Sequence, residues 1–178
     1  MPIINQKLEL FESLFRGRDD VYAIRWEKDG NSGYMPVYEV DWADYDSHKA
    51  KGGTFKEYKN KKLKAINDEA IISHLEGKTT MGIYPLLEDN TSFFIAVDFD
   101  RSNWIDSIKK LYSTCTGLNI PSYIERSRSG NGGHLWIFFE EALPASQSRK
   151  FMFELLRLSN IISQFDKEPS FDRIFPNL

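Results

Sequence analysis

The chain has 178 residues, 41% of them hydrophobic, which is enough to bury one substantial core. A single cysteine excludes an intramolecular disulfide framework, and no apolar run is long enough to cross a bilayer. The N-terminus lacks the charged and apolar regions of a signal peptide, so we expect a cytoplasmic protein. The net charge of −3 argues against a strong general attraction to nucleic acid, because phosphate neutralisation dominates such binding.

The first part of the chain is predicted to contain a helix, a hairpin and a second, short helix. Apolar residues at helical spacing predict a first helix that ends near Arg16. Residues 21–26 and 34–38 have the composition of strands, and the turn-forming residues 29–33 between them favour a hairpin. Asn67 is a suitable N-cap for the second helix.

A lysine-rich segment lies between the hairpin and the second helix. Its seven lysines, between positions 49 and 64, are opposed only by Glu57 and are interleaved with Phe55 and Tyr58. Cationic grooves with aromatic platforms hold single-stranded nucleic acid, although a solvated loop is the ordinary interpretation of such a charge run. Our candidates for template contact, chosen from charge alone, are Lys59, Lys61, Lys62, Arg16, Arg18 and Arg25.

The second part of the chain alternates strands with helices. The predicted strands cover residues 80–84, 92–99, 122–126 and 135–139. We expect the first two to pair, a helix with Cys115 on its apolar face to follow them, and a last helix over 144–163. From residue 92 onward this order resembles most of a ferredoxin-like βαββαβ unit, whose last strand we expect beyond Leu178. RNA-recognition modules share that core, so the fold alone does not decide function.

Two carboxylates follow the most apolar of these strands. Asp98 and Asp100 are two positions apart, so in an extended strand they point to the same side. Paired oxygen donors suit Mg²⁺ or Mn²⁺, ions that commonly hold substrate phosphates. A strand that runs into an acidic turn is the alternative interpretation.

A glycine-rich loop joins the next two strands. Residues 127–134 read SRSGNGGH, and three glycines permit a tight turn whose backbone N–H groups bind an anion. Arg126 and Arg128 add charge, and Ser127 and Ser129 add hydroxyls. His134 can donate a hydrogen bond to a phosphate. A flexible hairpin with a half-buried histidine is the alternative. A carboxylate pair together with this loop indicates a nucleoside triphosphate bound through a divalent metal.

A third candidate element ends the chain. Asp172 could complete a three-carboxylate metal site, and Arg173 could meet a phosphate. An aspartate in a turn, paired with the neighbouring arginine, is an equally good interpretation of this spacing.

These elements, in this order, resemble the archaeo-eukaryotic primase superfamily. Its members carry an acidic D-x-D, then a Ser-x-His type motif, then a further acidic residue. The stretches GIYPLL (82–87), DFD (98–100), ERSRSGNG (125–132), H-x-W-I-F-F (134–139) and FDR-x-FPN (171–177) are closer still to the primase-polymerases of TOTE conflict systems and CRISPR-associated primase-polymerases. The likeness runs from about Leu14 to Asn177.

The resemblance implies an α+β primase fold of one catalytic domain, with an N-terminal α/β lobe at 1–79 and an RRM-like catalytic lobe at 80–178. It implies template-dependent nucleotidyl transfer from dNTPs or NTPs to a primer 3′-hydroxyl on single-stranded DNA or RNA. Asp98, Asp100 and Asp172 would ligate two Mg²⁺ or Mn²⁺ ions, while Arg128, Ser129, Gly132 and His134 would bind the nucleotide. Many relatives have a cysteine cluster where this chain has none, so we expect no zinc. Defence-system proteins, CRISPR-associated ones included, are the expected protein partners.

Two other functions fit parts of the same pattern. A non-catalytic nucleic-acid or nucleotide-binding module of RRM type would share the fold without the chemistry. A metal-dependent glycosyltransferase would share D-x-D, but the ERSRSGNGGH stretch has no evident role there. Metal-dependent triphosphate binding that is lost with Asp98 and Asp100 would separate the enzyme from the binding module.

Overall fold

The computed structural model describes residues 2–100, 103–162, 171 and 173–177, with side chains from residue 5 onward. In this part of the chain there are five helices and nine short to medium strands, in a mixed α/β arrangement with antiparallel sheets. The elements are α1 (Pro2–Leu14), β1 (Tyr22–Lys28), β2 (Asn31–Pro36), β3 (Tyr38–Glu39), α2 (Trp42–Ala50), β4 (Lys62–Leu63), α3 (Asp68–Leu75), β5 (Met81–Ile83), β6 (Thr91–Phe99), α4 (Trp104–Gly117), β7 (Tyr123–Arg126), β8 (Gly133–Pro144), α5 (Ala145–Leu158) and β9 (Arg173–Phe175).

The chain forms two compact units. One contains the residues up to Glu9 and Arg18–Tyr84, and the other contains Leu10–Gly17 and the residues from Pro85 onward. The predicted division into lobes at 1–79 and 80–178 stays a prediction. No helix in the described part is both long and apolar enough to cross a membrane.

The first unit is built around a three-stranded antiparallel sheet of order β2-β1-β5. The predicted hairpin is confirmed, with Asp29 and Gly30 at positive φ in the turn between β1 and β2. Asn67 also caps α3 as predicted, because its Oδ1 accepts from the Ala70 N–H at 3.0 Å. One helix was missed in the sequence: α2 begins where Asp41 Oδ1 accepts from two backbone N–H groups of its first turn.

The second unit is a four-stranded antiparallel sheet of order β7-β8-β6-β9. Alternate residues of β6, namely Ile95, Val97 and Phe99, are fully buried in the core. That core also takes apolar residues from α4, α5 and β8, and it contains Cys115, as its position on the helix predicted. Burial of this face leaves the other side of β6 to carry the polar residues of the site.

Two strand predictions are wrong. Residues 80–84 do not pair with 92–99, since β5 pairs with β1 and both edges of β6 are occupied by β8 and β9. The last strand is not beyond Leu178, because Arg173–Phe175 already forms β9 against β6. A three-residue strand is too short to show an alternating pattern, and Pro176 directly follows it. The last predicted helix is also shorter than expected and ends at Leu158.

A candidate nucleotide and metal site

Four polar residues form one row across the four-stranded sheet. In the strand register, His134 lies opposite Glu125 on one side and opposite Asp98 on the other, and Asp98 lies opposite Arg173. Directly opposed residues of antiparallel strands project to the same face. The row therefore alternates acidic and basic groups from edge to edge.

Asp98 is the most buried member of this row, with 9% of its surface exposed. Its Oδ1 accepts no hydrogen bond from any described residue, although His134 Nε2 lies 3.4 Å away, close enough for an ion pair without hydrogen-bond alignment. A buried carboxylate oxygen without a hydrogen bond is costly unless a cation meets it. His134 is such a cation in the metal-free protein, and a carboxylate oxygen is also a ligand type that suits Mg²⁺ or Mn²⁺.

Asp100 lies against the glycine-rich loop. A Cβ built at Gly132 would collide with Asp100 Oδ1 and would lie 2.7 Å from the Phe99 carbonyl oxygen. The next residue, Gly133, is equally confined, because its Cβ would lie 2.8 Å from the Trp104 ring. The missing side chain of Gly132 thus leaves the space that Asp100 Oδ1 occupies, and its predicted part in nucleotide binding stays a prediction.

The third predicted metal ligand, Asp172, is outside the described residues. Among the residues described, no group of three histidine, cysteine or acidic side chains could hold a metal ion. The donor set that is described consists of two aspartates on one strand end, both hard oxygen ligands. Their chemistry suits magnesium or manganese, and a third ligand remains a prediction.

His134 is held between two carboxylates. Contact with Asp98, and then the hydrogen bond to Glu125, raise the pKa of the imidazole from 6.5 to about 9, against an opposing effect of burial. Glu125 Oε2 lies 3.3 Å from Nδ1, and the same oxygen accepts from Trp136 Nε1 at 2.9 Å. In the metal-free protein the two carboxylates therefore favour the protonated, cationic form of the ring.

The raised pKa predicts the pH behaviour of metal-free protein. The His134 ring should titrate near pH 9 in NMR spectra recorded with a chelator, assigned by loss of the signal in His134→Gln. Since the folded pKa exceeds the unfolded one, the stabilising contribution is fully present below pH 6.5 and is lost as the pH rises through about 9. A ring that titrates at or below 6.5 would contradict this structure of the site.

The loop between β7 and β8 is closed by its own hydrogen bonds. The Ser127 N–H donates to the Gly132 carbonyl, the Gly130 N–H donates to the Ser127 carbonyl, and the Asn131 N–H donates to Ser129 Oγ. Arg126, which we had considered as a phosphate ligand, donates instead to the Gly130 carbonyl from Nε and Nη2. Three backbone amides of the loop are thus hydrogen-bonded within the loop itself. Arg128 and Ser129 are both exposed on it.

The three arginines considered for template contact each have other partners. Arg16 donates to the carbonyls of Phe139 and Glu140 and lies over the Phe93 ring. Arg18 forms a two-point ion pair with Asp20, and Arg25 pairs with Glu27. Their contact with a template stays a prediction, and the structure gives Arg16 in particular a structural role.

The predicted lysines also differ from one another. Lys59 and Lys62 are exposed. The Lys61 ammonium instead donates to the carbonyls of Phe55 and Lys56, and it lies 4.9 Å from the centre of the Phe55 ring. Lys61 therefore holds its own loop together.

This difference gives a prediction that separates folding from binding. Lys61→Met should lower the free energy of unfolding by about 1–2 kcal/mol, because two hydrogen bonds from a charged group are lost. Lys59→Gln/Lys62→Gln, which avoids a like charge opposite Glu39, should leave the free energy of unfolding within about 0.5 kcal/mol and weaken single-strand binding, with a smaller salt dependence. Urea unfolding and fluorescence anisotropy with a labelled oligonucleotide measure the two effects. Unchanged binding in the double variant would remove this segment as a template contact.

Sequence reasoning missed Glu125 and Trp136 as members of the site. Both were interpreted only as strand residues, although Glu125 Oε2 contacts both Trp136 and His134. A signal was present in the hairpin: once Arg126 and Gly133 are taken as the closing pair, Glu125 must lie opposite His134. The length of the loop between the strands obscured that register.

Comparison with known families places the chain in one of them. Residues 6–178 match the family described as the archaeo-eukaryotic primase domain of the TOTE conflict system. A comparison with curated proteins finds no match. Because the family match covers nearly the whole chain, it confirms the resemblance that the motifs suggested. The chain belongs to the archaeo-eukaryotic primase domain family of TOTE conflict systems.

Proposed function

We propose that the chain is a primase-polymerase, which joins nucleotides to a primer 3′-hydroxyl on a single-stranded DNA or RNA template. The observation that carries this proposal is the buried Asp98 oxygen, which accepts no hydrogen bond from described residues and lies 3.4 Å from His134 Nε2. The Asp98 carboxylate, which could bind a divalent cation, thus lies beside the His134 imidazole, which could donate to a phosphate. Family membership supports a primase-type role for this pair.

The topology of the second unit supports the proposal. Counted from β6, its sheet has the order 2-3-1-4, with helices after the first and third strands. We propose that this is a ferredoxin-like or RRM-type unit, in which helices cover one face of the sheet. We propose that the other face, which carries Asp98 and His134, is the catalytic face.

Asp98 and Asp100 would hold two divalent ions, with Asp172 proposed as a third ligand. Such ions lower the pKa of an attacking hydroxyl and neutralise charge on the leaving pyrophosphate. His134 would donate to the triphosphate from Nε2, and Arg128 and Ser129 would bind its oxygens from the exposed side of the loop. These contacts would place the α-phosphorus in line with the 3′-hydroxyl. The loop and the strand end that carry them are joined by the close approach of Gly132 to Asp100.

The partners follow from this chemistry and from the family description. Nucleic acid and nucleoside triphosphates are the expected substrates of a primase-type domain. Because the family is described from a conflict system, we propose other defence proteins, including CRISPR-associated ones, as its protein partners.

The test is incorporation of labelled dNTPs and NTPs on a single-stranded template, with and without primer, in Mg²⁺ and in Mn²⁺. The Asp98→Ala/Asp100→Ala variant should make no product. Asp106→Ala, which removes an exposed carboxylate from the first turn of α4, is the matched control and should be fully active. Absence of product from the parent chain, together with metal-independent oligonucleotide binding, would overturn the enzyme and leave a binding module.

A further inference from the structure

We infer that Glu125 is a positioning residue for triphosphate binding, holding the His134 ring by Nδ1 so that Nε2 faces Asp98. This inference rests on the proposed function, because it assigns a role within the same site. It adds a residue outside the acidic motif, and it identifies Trp136 as the anchor of that residue.

Two contacts of Glu125 meet at one atom. Oε2 accepts from Trp136 Nε1 at 2.9 Å and lies 3.3 Å from His134 Nδ1, whereas the Glu125 side chain as a whole is 54% exposed. An exposed glutamate normally samples several rotamers. Here two donors from alternate positions of β8, His134 and Trp136, meet the same oxygen and select one rotamer of Glu125.

Trp136 is a rigid donor. Its indole packs edge-on against Phe15 with ring centroids 5.2 Å apart, and it lies 5.5 Å from Phe94 and 6.1 Å from Phe138, parallel to the latter. A ring enclosed by three aromatic neighbours cannot turn without displacing them. The Nε1–H bond of Trp136 therefore keeps its direction, and the hydrogen bond that it donates holds the Glu125 carboxylate in place.

The contact with Glu125 fixes the orientation of the His134 ring. The torsion of an imidazole about its last bond is broad, so a ring held at one nitrogen only can rotate or flip. With Nδ1 held by Glu125, Nε2 points toward Asp98, where it lies 3.4 Å from Oδ1. A phosphate that enters beside Asp98 then finds the donor already oriented, and less conformational freedom is lost on binding.

Glu125 is not placed to share a metal with Asp98. The two residues lie on β7 and β6 with β8 between them, so they are two strand spacings apart, about 9–10 Å. That spacing separates the backbones, and the His134 ring lies between the two side chains, with Nδ1 3.3 Å from Glu125 Oε2 and Nε2 3.4 Å from Asp98 Oδ1. The effect of Glu125 on the site must therefore pass through His134.

The test uses Mg²⁺–tripolyphosphate as the ligand, because it lacks base and sugar and reports on phosphate binding alone. Glu125→Ala should raise its Kd about tenfold in calorimetry, the scale of an outer hydrogen-bond partner of a ligating histidine. Glu125→Gln should stay within about threefold of the parent, because a single amide oxygen can replace the one carboxylate oxygen that accepts both bonds. In steady-state incorporation, Glu125→Ala should raise the KM for nucleotide and leave kcat nearly unchanged.

Two further variants keep the test decisive. Trp136→Phe keeps an aromatic ring but removes the donor that anchors Glu125, so it should weaken tripolyphosphate binding in the same direction. Glu141→Ala removes an exposed glutamate from the same strand as His134 and should bind like the parent. Thermal unfolding of every variant is recorded, and equal Tm values with unequal Kd values support positioning.

The outcomes separate this inference from the proposed function. A parent chain that does not bind Mg²⁺–tripolyphosphate overturns the proposed function and the role of Glu125 with it. A parent that binds, with Glu125→Ala and Trp136→Phe binding equally well, overturns the role of Glu125 alone. Equal losses in Glu125→Ala and Glu125→Gln would also overturn it, because charge and not position would then be responsible.

Discussion

Asp98→Asn should reduce nucleotide incorporation by about 100-fold or more, the scale of losing one preorganised electrostatic contact in an active site. Asparagine has nearly the same shape, so it fits the same buried position at the end of β6. It replaces a charged oxygen by a neutral one, however, and a neutral amide is a much weaker ligand for a divalent cation. The chemistry should fail while the fold survives.

Three measurements check this prediction. Incorporation assays should show the loss, and calorimetry with Mn²⁺ should show weakened ion binding. The free energy of unfolding, measured in urea, should stay within about 2 kcal/mol of the parent value, because the substitution removes one partly exposed ion pair, with His134. Asp106→Asn, in the exposed first turn of α4, should change none of them. An Asp98→Asn protein that keeps more than about a tenth of the parent activity would be incompatible with the catalytic role proposed for Asp98.

Gly132→Ala should lower activity by about 10- to 100-fold, although it adds a single methyl group far smaller than any substrate. The new Cβ would occupy the space of Asp100 Oδ1 and press on the Phe99 carbonyl oxygen. The loop or the carboxylate must then shift, and a displacement of about 1 Å in an active site can cost about 100-fold in rate. Overpacking should also destabilise the protein by about 1–3 kcal/mol.

Gly117→Ala is the matched control for that substitution. Gly117 ends α4, and a Cβ there meets no atom within 4 Å, so alanine should be neutral or stabilising by up to about 1 kcal/mol through its effect on the unfolded chain. Incorporation assays and thermal unfolding of both variants give the comparison. Wild-type activity in Gly132→Ala would show that the position of Asp100 does not depend on the loop.

Local features of this protein were predictable because they depend on neighbours in sequence. The turn at Asp29 and Gly30, the Asn67 cap and the burial of Cys115 all follow from backbone propensity or from a 3.6-residue period. The burial of alternate residues of β6 is local in the same sense, whereas a common side for Asp98 and Asp100 stays a prediction because β6 ends at Phe99. The family resemblance likewise rested on short motifs that are visible without a fold.

The partners of these elements were decided only by tertiary structure. Nothing in the local pattern of residues 80–84 distinguishes pairing with β1 from pairing with β6. The three residues of β9 are too few to show the alternating pattern that predicts a strand. Arg16 and Lys61 were candidates for template contact because of their charge. In the structure each donates hydrogen bonds to backbone carbonyls of its own unit. Charge in a sequence shows that a group needs a partner, but the choice of partner depends on what the fold brings near.

The same distinction runs through the site itself. The sequence by itself determined which residue types are present: two aspartates, a glycine-rich loop and a histidine in a fixed order. Only the fold shows that a side chain at Gly132 would collide with Asp100. It also shows that Arg126 closes the loop by donating to the Gly130 carbonyl, and that Glu125 is a partner of His134. These are distances between strands, and they exist only once the register of β6, β7 and β8 is set by burial of the opposite face in the core.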